Sequence, residues 1–160
     1  MKRLITFIFI IHFLSLFAQE DNISSGSIEE KKKEVSSVIN KFFAAMKDGD
    51  SAIVHSLFHP AARLMSAFSK EGSPVLVEET INEFLKKLGT PHEKVWDERI
   101  HNLDIQINEN LASAWMDYSF YLGDKLHHCG VNSFQLFQTS IGWKIIQITD
   151  TRQTDNCLEN

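Results

Sequence analysis

The sequence lacks an excess of positive charge and is poor in cysteine. Its 16 Lys and Arg residues are outnumbered by 21 Asp and Glu, which gives a formal net charge of -5. This acidic balance argues against a nucleic-acid binder that works by neutralising phosphates, and the basic run Lys31 to Lys33 lies between glutamates. Two cysteines exclude a dense disulfide framework, and 160 residues are enough to bury a core without one or a structural metal.

The sequence also lacks a hydrophobic run long enough to span a bilayer. The run Leu4 to Phe17 has about 14 mostly apolar residues, where a spanning helix needs roughly 20. It follows Met1-Lys2-Arg3 and precedes Ala18, as in a cleavable signal peptide. We therefore predict a signal peptide over residues 1–18 and a protein that is periplasmic or secreted, with no membrane contact after cleavage. No cysteine lies near the cleavage site, which argues against a lipid-anchored lipoprotein.

Export changes the interpretation of the two cysteines, Cys129 and Cys157. In an oxidising compartment an even number of cysteines favours a disulfide. The bridge would hold down a polar C-terminal tail, residues 153–160. The alternative is two unpaired thiols, with Cys129 buried as a small apolar residue.

The composition, 43% hydrophobic and 23% charged, is typical of one soluble globular domain. After a flexible linker over residues 19–27, Ser27 and Glu30 have the spacing of a capping box and predict the start of a helix. This helix ends at Gly49. Its apolar positions repeat at helical spacing and are Val35, Val38, Ile39, Phe42, Phe43 and Met46.

Two shorter helices are predicted after the first. Asp50 can cap a helix that Pro60 stops. A third helix ends at Gly89, which we expect in the left-handed conformation. The apolar residues of this third helix are Ile81, Phe84, Leu85 and Leu88.

The remaining segments are typical of strands. A short strand is predicted over Ala62 to Phe68, between the second and third helices. From Val95 onward, aromatic and β-branched residues are separated by short turn signals. Four strands joined as consecutive hairpins follow from this pattern: Val95 to Ile107, Leu111 to Leu122, Leu126 to Gln138 and Trp143 to Thr151. The result is an α+β domain with helices on one face of an antiparallel sheet.

The turn at Gly123-Asp124 predicts a register for the central hairpin. A two-residue turn pairs Leu122 with Lys125. Counting onward predicts three pairs toward the helices: Ser119 with His128, Asp117 with Gly130, and Trp115 with Asn132. Three more are expected with the last strand: Leu136 with Ile145, Phe134 with Gln147, and Asn132 with Thr149. One β-bulge would exchange the faces locally. The other face is also apolar, which favours a homodimer through it.

Several segments carry a resemblance to a known family. They are Phe42 to Asp50 (FFAAMKDGD), Leu57 to Ala62 (LFHPAA), the strand through Trp115 and Tyr118, and Ser133 to Leu136 with Gly142 to Ile145 (SFQL and GWKI). With the order of elements, they resemble the nuclear transport factor 2-like (NTF2-like) superfamily, also called the SnoaL-like or cystatin-like fold. The resemblance covers roughly residues 30–152, and we assign the domain to residues 28–152. It implies a cone in which three N-terminal helices pack on a curved antiparallel sheet. Members include isomerases, dehydratases, polyketide cyclases and binding proteins, so the fold leaves the function open.

The resemblance also implies a cavity between the first helix and the sheet, and the predicted register selects its lining. The expected ligand-binding pocket consists of Phe42, Phe43, Met46, Trp115, Asp117, Ser119, Tyr121, His128, Asn132 and Phe134. Asp117 and His128 are the catalytic candidates, because desolvation raises the pKa of a carboxylate and suits it to act as a general base beside a histidine. The alternative is a set of polar groups that only satisfy one another in the core.

We predict no metal and no cofactor. His55 and His59 have the i, i+4 spacing of a helical metal pair but no evident third ligand. In His127-His128-Cys129, a strand would put only the first and third residues on one face. Neither a Ser-His-Asp arrangement nor a glycine-rich phosphate loop is found.

Three functions remain after these exclusions. The leading prediction is an exported protein whose cavity binds a small, largely apolar molecule without catalysis. The second is a cofactor-independent isomerase, dehydratase or cyclase that uses acid–base residues in the cavity. The third is a protein-interaction module whose cavity is filled by side chains.

Overall fold

The computed structural model describes residues 20–158, with side chains from residue 27 onward. The predicted signal peptide, residues 1–18, lies outside the described residues. Three helices and six strands follow along the chain: α1 Glu20–Lys47, α2 Ser51–Leu57, β1 Phe58–Lys70, β2 Ser73–Glu79, α3 Ile81–Leu88, β3 Trp96–Asn108, β4 Leu111–Leu122, β5 Lys125–Thr139 and β6 Gly142–Arg152. Within residues 20–158, no helix has both the length and the apolar content that crossing a membrane requires.

Helix α1 buries the apolar stripe that the sequence predicts, because a period of 3.6 residues places these side chains on one side. The buried members are Val35, Ile39, Phe42, Phe43 and Met46. The helix ends at Lys47, and the chain turns at Gly49, whose φ of 70° costs glycine little. It begins at Glu20 and not at Ser27, so the predicted capping box falls inside the helix and residues assigned to the linker are helical.

Helix α2 begins where the sequence predicts. Asp50 accepts a hydrogen bond from the backbone N–H of Ile53 at 2.8 Å and so caps the first turn. The chain leaves the helix at Phe58, before Pro60, and continues directly into β1. His55 therefore lies on a helix and His59 on a strand, so the two histidines do not form an i, i+4 helical pair.

Helix α3 has a capping box in which Thr80 and Glu83 bond each other's backbone N–H, each at 3.2 Å. Gly89 follows this helix with φ -78° and ψ -3°, so the predicted left-handed conformation is wrong. Close packing explains the glycine instead. A Cβ atom at Gly89 would lie 2.8 Å from the Oγ atom of Ser51, at the start of α2.

The strands form one six-stranded sheet in the order β2-β1-β6-β5-β4-β3. The consecutive hairpins from β3 to β6 confirm the predicted meander, and Leu122 pairs with Lys125 as expected. Strand β1 is longer than predicted and pairs in parallel with β6. Strand β2 was not predicted, because its apolar pattern is short and lies between Pro74 and Glu78. The α+β class is as predicted, and α3 follows β1 as expected, with the unpredicted β2 between them.

A β-bulge in the central hairpin changes which residues face the helices. Tyr121 pairs with Leu126 and Phe120 pairs with His128, so β5 carries one extra residue, His127. Beyond the bulge each residue of β4 meets a partner one position further along β5. The observed pairs are Ser119 with Cys129, Asp117 with Val131, and Trp115 with Ser133, so the three pairs predicted for these residues are wrong.

A second irregularity lies between β5 and β6. Leu136 pairs with Ile145, as predicted. Ile146 is then skipped, and the two remaining predicted pairs are wrong for that reason: Phe134 meets Ile148, and Asn132 meets Asp150.

The core lies between the helices and one face of the sheet. Strand β4 contributes small or flexible apolar residues at alternate positions, all buried: Ala112, Ala114 and Met116. Phe42 of α1 makes edge-to-face contacts with Phe43, Phe58 and Phe134, at ring-centroid distances of 5.2, 5.8 and 5.6 Å. This aromatic cluster fastens α1 to the sheet and forms the floor of the space described below.

The C-terminal tail crosses the opposite face of the sheet. Cys129 and Cys157 form a disulfide, as predicted. The backbone of Gln153 pairs with that of Cys129, and the hydroxyl group of Ser119 donates to the carbonyl oxygen of Leu158 at 2.6 Å. The tail therefore covers the part of β4 and β5 that lies behind the bulge.

Candidate functional site

A cavity of about 860 Å³ lies between the helices and the sheet. Its walls are mostly apolar and aromatic. They include Phe42, Phe43, Met46, Leu64, Phe68, Phe84, Trp96, Phe120, Leu122, Phe134 and Ile148. Polar groups enter it from the sheet and from α3, namely Ser66, Glu78, Glu79, Glu83, Lys87, Glu98, Tyr118, His127, His128, Asn132, Asp150 and Arg152. A volume of several hundred Å³ whose lining combines apolar walls with placed polar groups is characteristic of small-molecule sites.

Six of the ten predicted pocket residues line this cavity: Phe42, Phe43, Met46, His128, Asn132 and Phe134. The other four, Trp115, Asp117, Ser119 and Tyr121, lie on the opposite face of β4, so their assignment to the pocket is corrected. The cause is the bulge at His127, which leaves the even-numbered residues of β4 toward the helices.

The four displaced residues have other partners. Trp115 is 57% exposed on the outer face. Asp117 accepts a hydrogen bond from Asn102 Nδ2 at 2.7 Å, and Ser119 is covered by the tail. The ring of Tyr121 lies 4.1 Å from the guanidinium carbon of Arg99. Asp117 and His128, the predicted catalytic pair, therefore lie on different faces of the sheet and cannot act together.

Glu98 is the carboxyl group that the cavity does contain. It lies between Trp96 and Ile100 on β3, and Asn132 Nδ2 donates a hydrogen bond to its Oε1 atom at 2.6 Å. Burial raises the pKa of Glu98 to about 7, although the hydrogen bond from Asn132 acts in the opposite direction. Its side chain lines the cavity and is partly buried. Near neutral pH, Glu98 can therefore both donate and accept a proton.

A second cluster of polar side chains surrounds Asp150 on β6. Arg152 Nε donates to Asp150 Oδ2 at 2.7 Å, and the hydroxyl group of Ser66 donates to Oδ1. The phenol of Tyr118 donates to the carbonyl oxygen of Thr151 at 2.7 Å. Burial, and then the negative charge of Asp150, raises the pKa of Tyr118 above its usual value, so the phenol stays protonated. The Asp150–Arg152 ion pair thus lies in the cavity lining together with the carboxyl group of Glu98, and a second pair, Glu79 with Lys87, lines the cavity as well.

His128, a predicted site residue, lines the cavity in its neutral form. Its ring lies over Phe120, with 4.9 Å between centroids, and its Nδ1 atom is 2.8 Å from Nδ1 of His127. Burial, followed by the positive charges of Arg152 and His127, lowers the pKa of His128 to about 4. A neutral imidazole at pH 7 serves as a hydrogen-bonding group in the wall.

Sequence reasoning missed Glu98, Tyr118 and Asp150. For Glu98 a signal was present, because the alternation of a strand places it on the same face as Trp96 and Ile100. Tyr118 was assigned to the outer face by the register without the bulge. Asp150 enters the cavity through the second irregularity, which pairs it with Asn132.

No three His, Cys, Asp or Glu side chains within the described residues come together as metal ligands. Of the residues weighed for a metal, Cys129 is in the disulfide, and His59 Nδ1 accepts a hydrogen bond from the backbone of Ala61 at 3.1 Å.

Known proteins with solved structures share this fold. An NTF2-like protein with a cystatin-like fold from Novosphingobium aromaticivorans has a TM-score of 0.70 at 10% identity, over 86% of this chain and 92% of that one. An NTF2-like protein of unknown function from Shewanella baltica has a TM-score of 0.61 at 16% identity, over 78% and 94%. One from Cytophaga hutchinsonii has a TM-score of 0.61 at 13% identity, over 76% and 98%. At these identities the likeness concerns the fold alone.

Sequence comparison defines the family. No curated protein matches the sequence. A family model described as "Putative lumazine-binding" matches residues 30–147, which include α2, α3, the first five strands and most of α1. The chain therefore belongs to this lumazine-binding-like family, and its fold is that of the NTF2-like proteins above.

Proposed function

We propose that this protein binds a small, largely apolar molecule in the cavity. The observation that carries the proposal is the cavity itself, about 860 Å³ of space in which aromatic walls are combined with polar groups from the sheet and from α3. Such a space holds a ligand of drug-like size and orients it through those groups. The space is open and not filled by side chains, which disfavours the interaction-module alternative.

The family description supports the same proposal and narrows the ligand. A lumazine is a flat heterocycle, and the walls offer flat partners for such a ring. Trp96 lies in the wall and is held in place by His92, whose ring stacks on it at a centroid distance of 4.0 Å. Phe84 and Phe120 lie in the same wall. An aromatic ligand is therefore the best fit to these surfaces.

The test uses 1-anilinonaphthalene-8-sulfonate, a probe with apolar aromatic rings and one sulfonate group that fluoresces when the rings enter an apolar site. We expect one molecule of probe per chain and a change of Trp96→Ala to weaken its binding by about threefold to tenfold, since one aromatic contact is lost. The matched control is Trp115→Ala, because that tryptophan lies on the outer face. If the two variants weakened probe binding equally, or if the probe bound weakly at many sites, the cavity would not be the ligand site.

Acid–base chemistry in the cavity is a second candidate, favoured by the position of Glu98. A buried carboxyl group with a pKa of about 7 can act as a general base or acid, as an isomerase, dehydratase or cyclase requires. The test incubates a co-purified ligand with the protein in heavy water. Incorporation of deuterium at a carbon atom of the ligand with the wild type, but not with Glu98→Gln, would support catalysis. If neither protein causes incorporation, the proposal of catalysis fails and only ligand binding is supported.

We also propose that the protein is exported and forms a homodimer through the outer face of the sheet. Leu111, Trp115 and Phe137 are exposed there, and Leu111 pairs with Phe137 across β4 and β5. An apolar cluster of this kind is typical of an interface. Native mass spectrometry of protein exported to a bacterial periplasm reports both points. A monomer in Trp115→Glu beside a dimer in the wild type would support the interface, and a chain that keeps Met1 would contradict export.

A further inference from the structure

The carboxyl group of Glu98 has one oxygen bound and one available. Asn132 donates to Oε1, whereas Oε2 has no hydrogen-bond partner among the described residues. Glu98 lines the cavity, so Oε2 can reach a molecule bound there. Because Oε2 faces the cavity and is not tied up by the protein, a ligand with a matching polar group can bond it directly.

The surroundings of Glu98 favour its uncharged form. Burial is the main cause. From β6, Asp150 repels a second negative charge, whereas Arg152, which is bound to Asp150, acts in the opposite direction. Strands β4 and β5 present Tyr118, His127 and His128, and burial keeps Tyr118 and His128 uncharged at neutral pH. Helix α1 presents apolar side chains to the cavity. Strand β2 and helix α3 contribute four charged residues to the lining: Glu78, Glu79, Glu83 and Lys87. Of these, Glu78 pairs with Arg63, and Glu79 pairs with Lys87.

We propose that Glu98 binds the polar edge of a cyclic imide or amide, as a neutral carboxylic acid that Asn132 holds in place. The acid donates from Oε2–H to the ligand's carbonyl oxygen. Oε1, which has two lone pairs, accepts from the neighbouring ligand N–H as well as from Asn132. This inference rests on the proposed function and adds to it the chemical class of the ligand's polar edge.

The proposal makes binding depend on pH in one direction. An ionised carboxylate keeps its acceptors but has no proton to donate, and it repels the carbonyl oxygen. Affinity is therefore highest below the midpoint for Glu98, about pH 7, and falls as the pH rises through it.

The experiment titrates the full chain with three probes by calorimetry near pH 6. Lumazine carries the imide edge, 1,3-dimethyllumazine has lost both N–H groups of that edge, and 6,7-dimethyllumazine has the same two methyl groups on the far ring. We expect lumazine and 6,7-dimethyllumazine to bind and the 1,3-dimethyl isomer to bind about tenfold more weakly, as expected for a lost hydrogen bond and a steric block.

Two variants test the role of Glu98, and a third is the control. Glu98→Gln offers the same donor and acceptor as the acid at every pH, so it should keep the affinity for lumazine. Glu98→Leu removes both groups and should weaken binding by about tenfold. The pH dependence of Glu98→Gln measures any ionisation of the probe itself, because this variant has no carboxyl group at position 98. Between about pH 6 and about pH 8, the affinity of the wild type should fall by about tenfold more than that of Glu98→Gln. Asp117→Asn, on the outer face, should match the wild type.

Three results would overturn the inference. They are equal binding of the two dimethyl isomers, the same pH profile in the wild type and Glu98→Gln, and full affinity in Glu98→Leu. Absence of lumazine binding would also overturn it. If the anilinonaphthalene probe still binds with a dependence on Trp96, only the imide assignment fails. If neither ligand binds, the proposed function fails with it.

Discussion

Gly130 on β5 lies so close to Thr151 on β6 that a Cβ atom at Gly130 would be 2.1 Å from the carbonyl oxygen of Thr151. That oxygen accepts the hydrogen bond of Tyr118, and the hydroxyl group of Thr151 accepts one from the backbone of Val131. The glycine therefore allows β6 to approach β5 at the point where Asp150 and Arg152 enter the cavity. The side wall of the site depends on the absence of one side chain.

Gly130→Ala should lower the free energy of unfolding by roughly 1–3 kcal/mol, because a side chain there forces the backbone of β6 to move. Urea unfolding followed by circular dichroism measures the change. Ser133→Ala, in the same strand, is the control and should stay within about 0.5 kcal/mol of the wild type. An alanine variant as stable as the wild type would show that the two strands can separate without cost.

Glu98 and His128 make stability depend on pH in opposite directions. The pKa of Glu98 is raised to about 7, so its contribution is fully present below about pH 4.5 and is lost as the pH rises through 7. The pKa of His128 is lowered to about 4, so its contribution is present above about pH 6.5 and is lost as the pH falls through 4. The two trends partly cancel between about pH 4.5 and about pH 6.5, which flattens the profile of the wild type.

Removing the carboxyl group of Glu98 should separate its contribution to the pH dependence of stability from that of His128. Relative to Glu98→Gln, the wild type should lose about 3 kcal/mol of unfolding free energy between about pH 4.5 and about pH 7.5, because the folded state holds a proton that the unfolded state releases. Urea unfolding at several pH values measures the difference. Glu30→Gln, at an exposed position of α1, should keep the wild-type profile. If both variants followed the wild type, Glu98 would ionise as it does in water.

The elements that the sequence predicted best are those determined by local patterns. The stripe of α1 and the turn at Gly123-Asp124 depend on residues close together in the chain, and both are as predicted. Phe42 and Met46 were assigned to the cavity from the helical stripe together with the family resemblance, and the structure places them in its lining. Predictions that depended on the pairing between strands were less often correct.

The β4 half of the site could not be predicted because the register changes at one residue. Nothing in the sequence distinguishes His127 as an extra residue, since both faces of β4 carry apolar side chains: Ala114 and Met116 toward α1, Trp115 and Tyr121 away from it. The assignments on β5 were unaffected, so Asn132 and Phe134 were placed correctly beside the wrong residues of β4. A burial pattern that is apolar on both faces carries no information on which face is the inner one.

The disulfide between Cys129 and Cys157 holds the tail against the back of the cavity wall. It closes a loop with a sequence separation of 28, for which the chain-entropy estimate is about 3.5 kcal/mol of stabilisation. Cys157→Ser should lose about that much unfolding free energy in protein made under oxidising conditions. Dithiothreitol should lower the wild type to the value of the variant and leave the variant unchanged. A wild type that does not respond to the reductant, and in which two free thiols are titrated, would show that the tail is held without the bridge, by Ser119 and Gln153 alone.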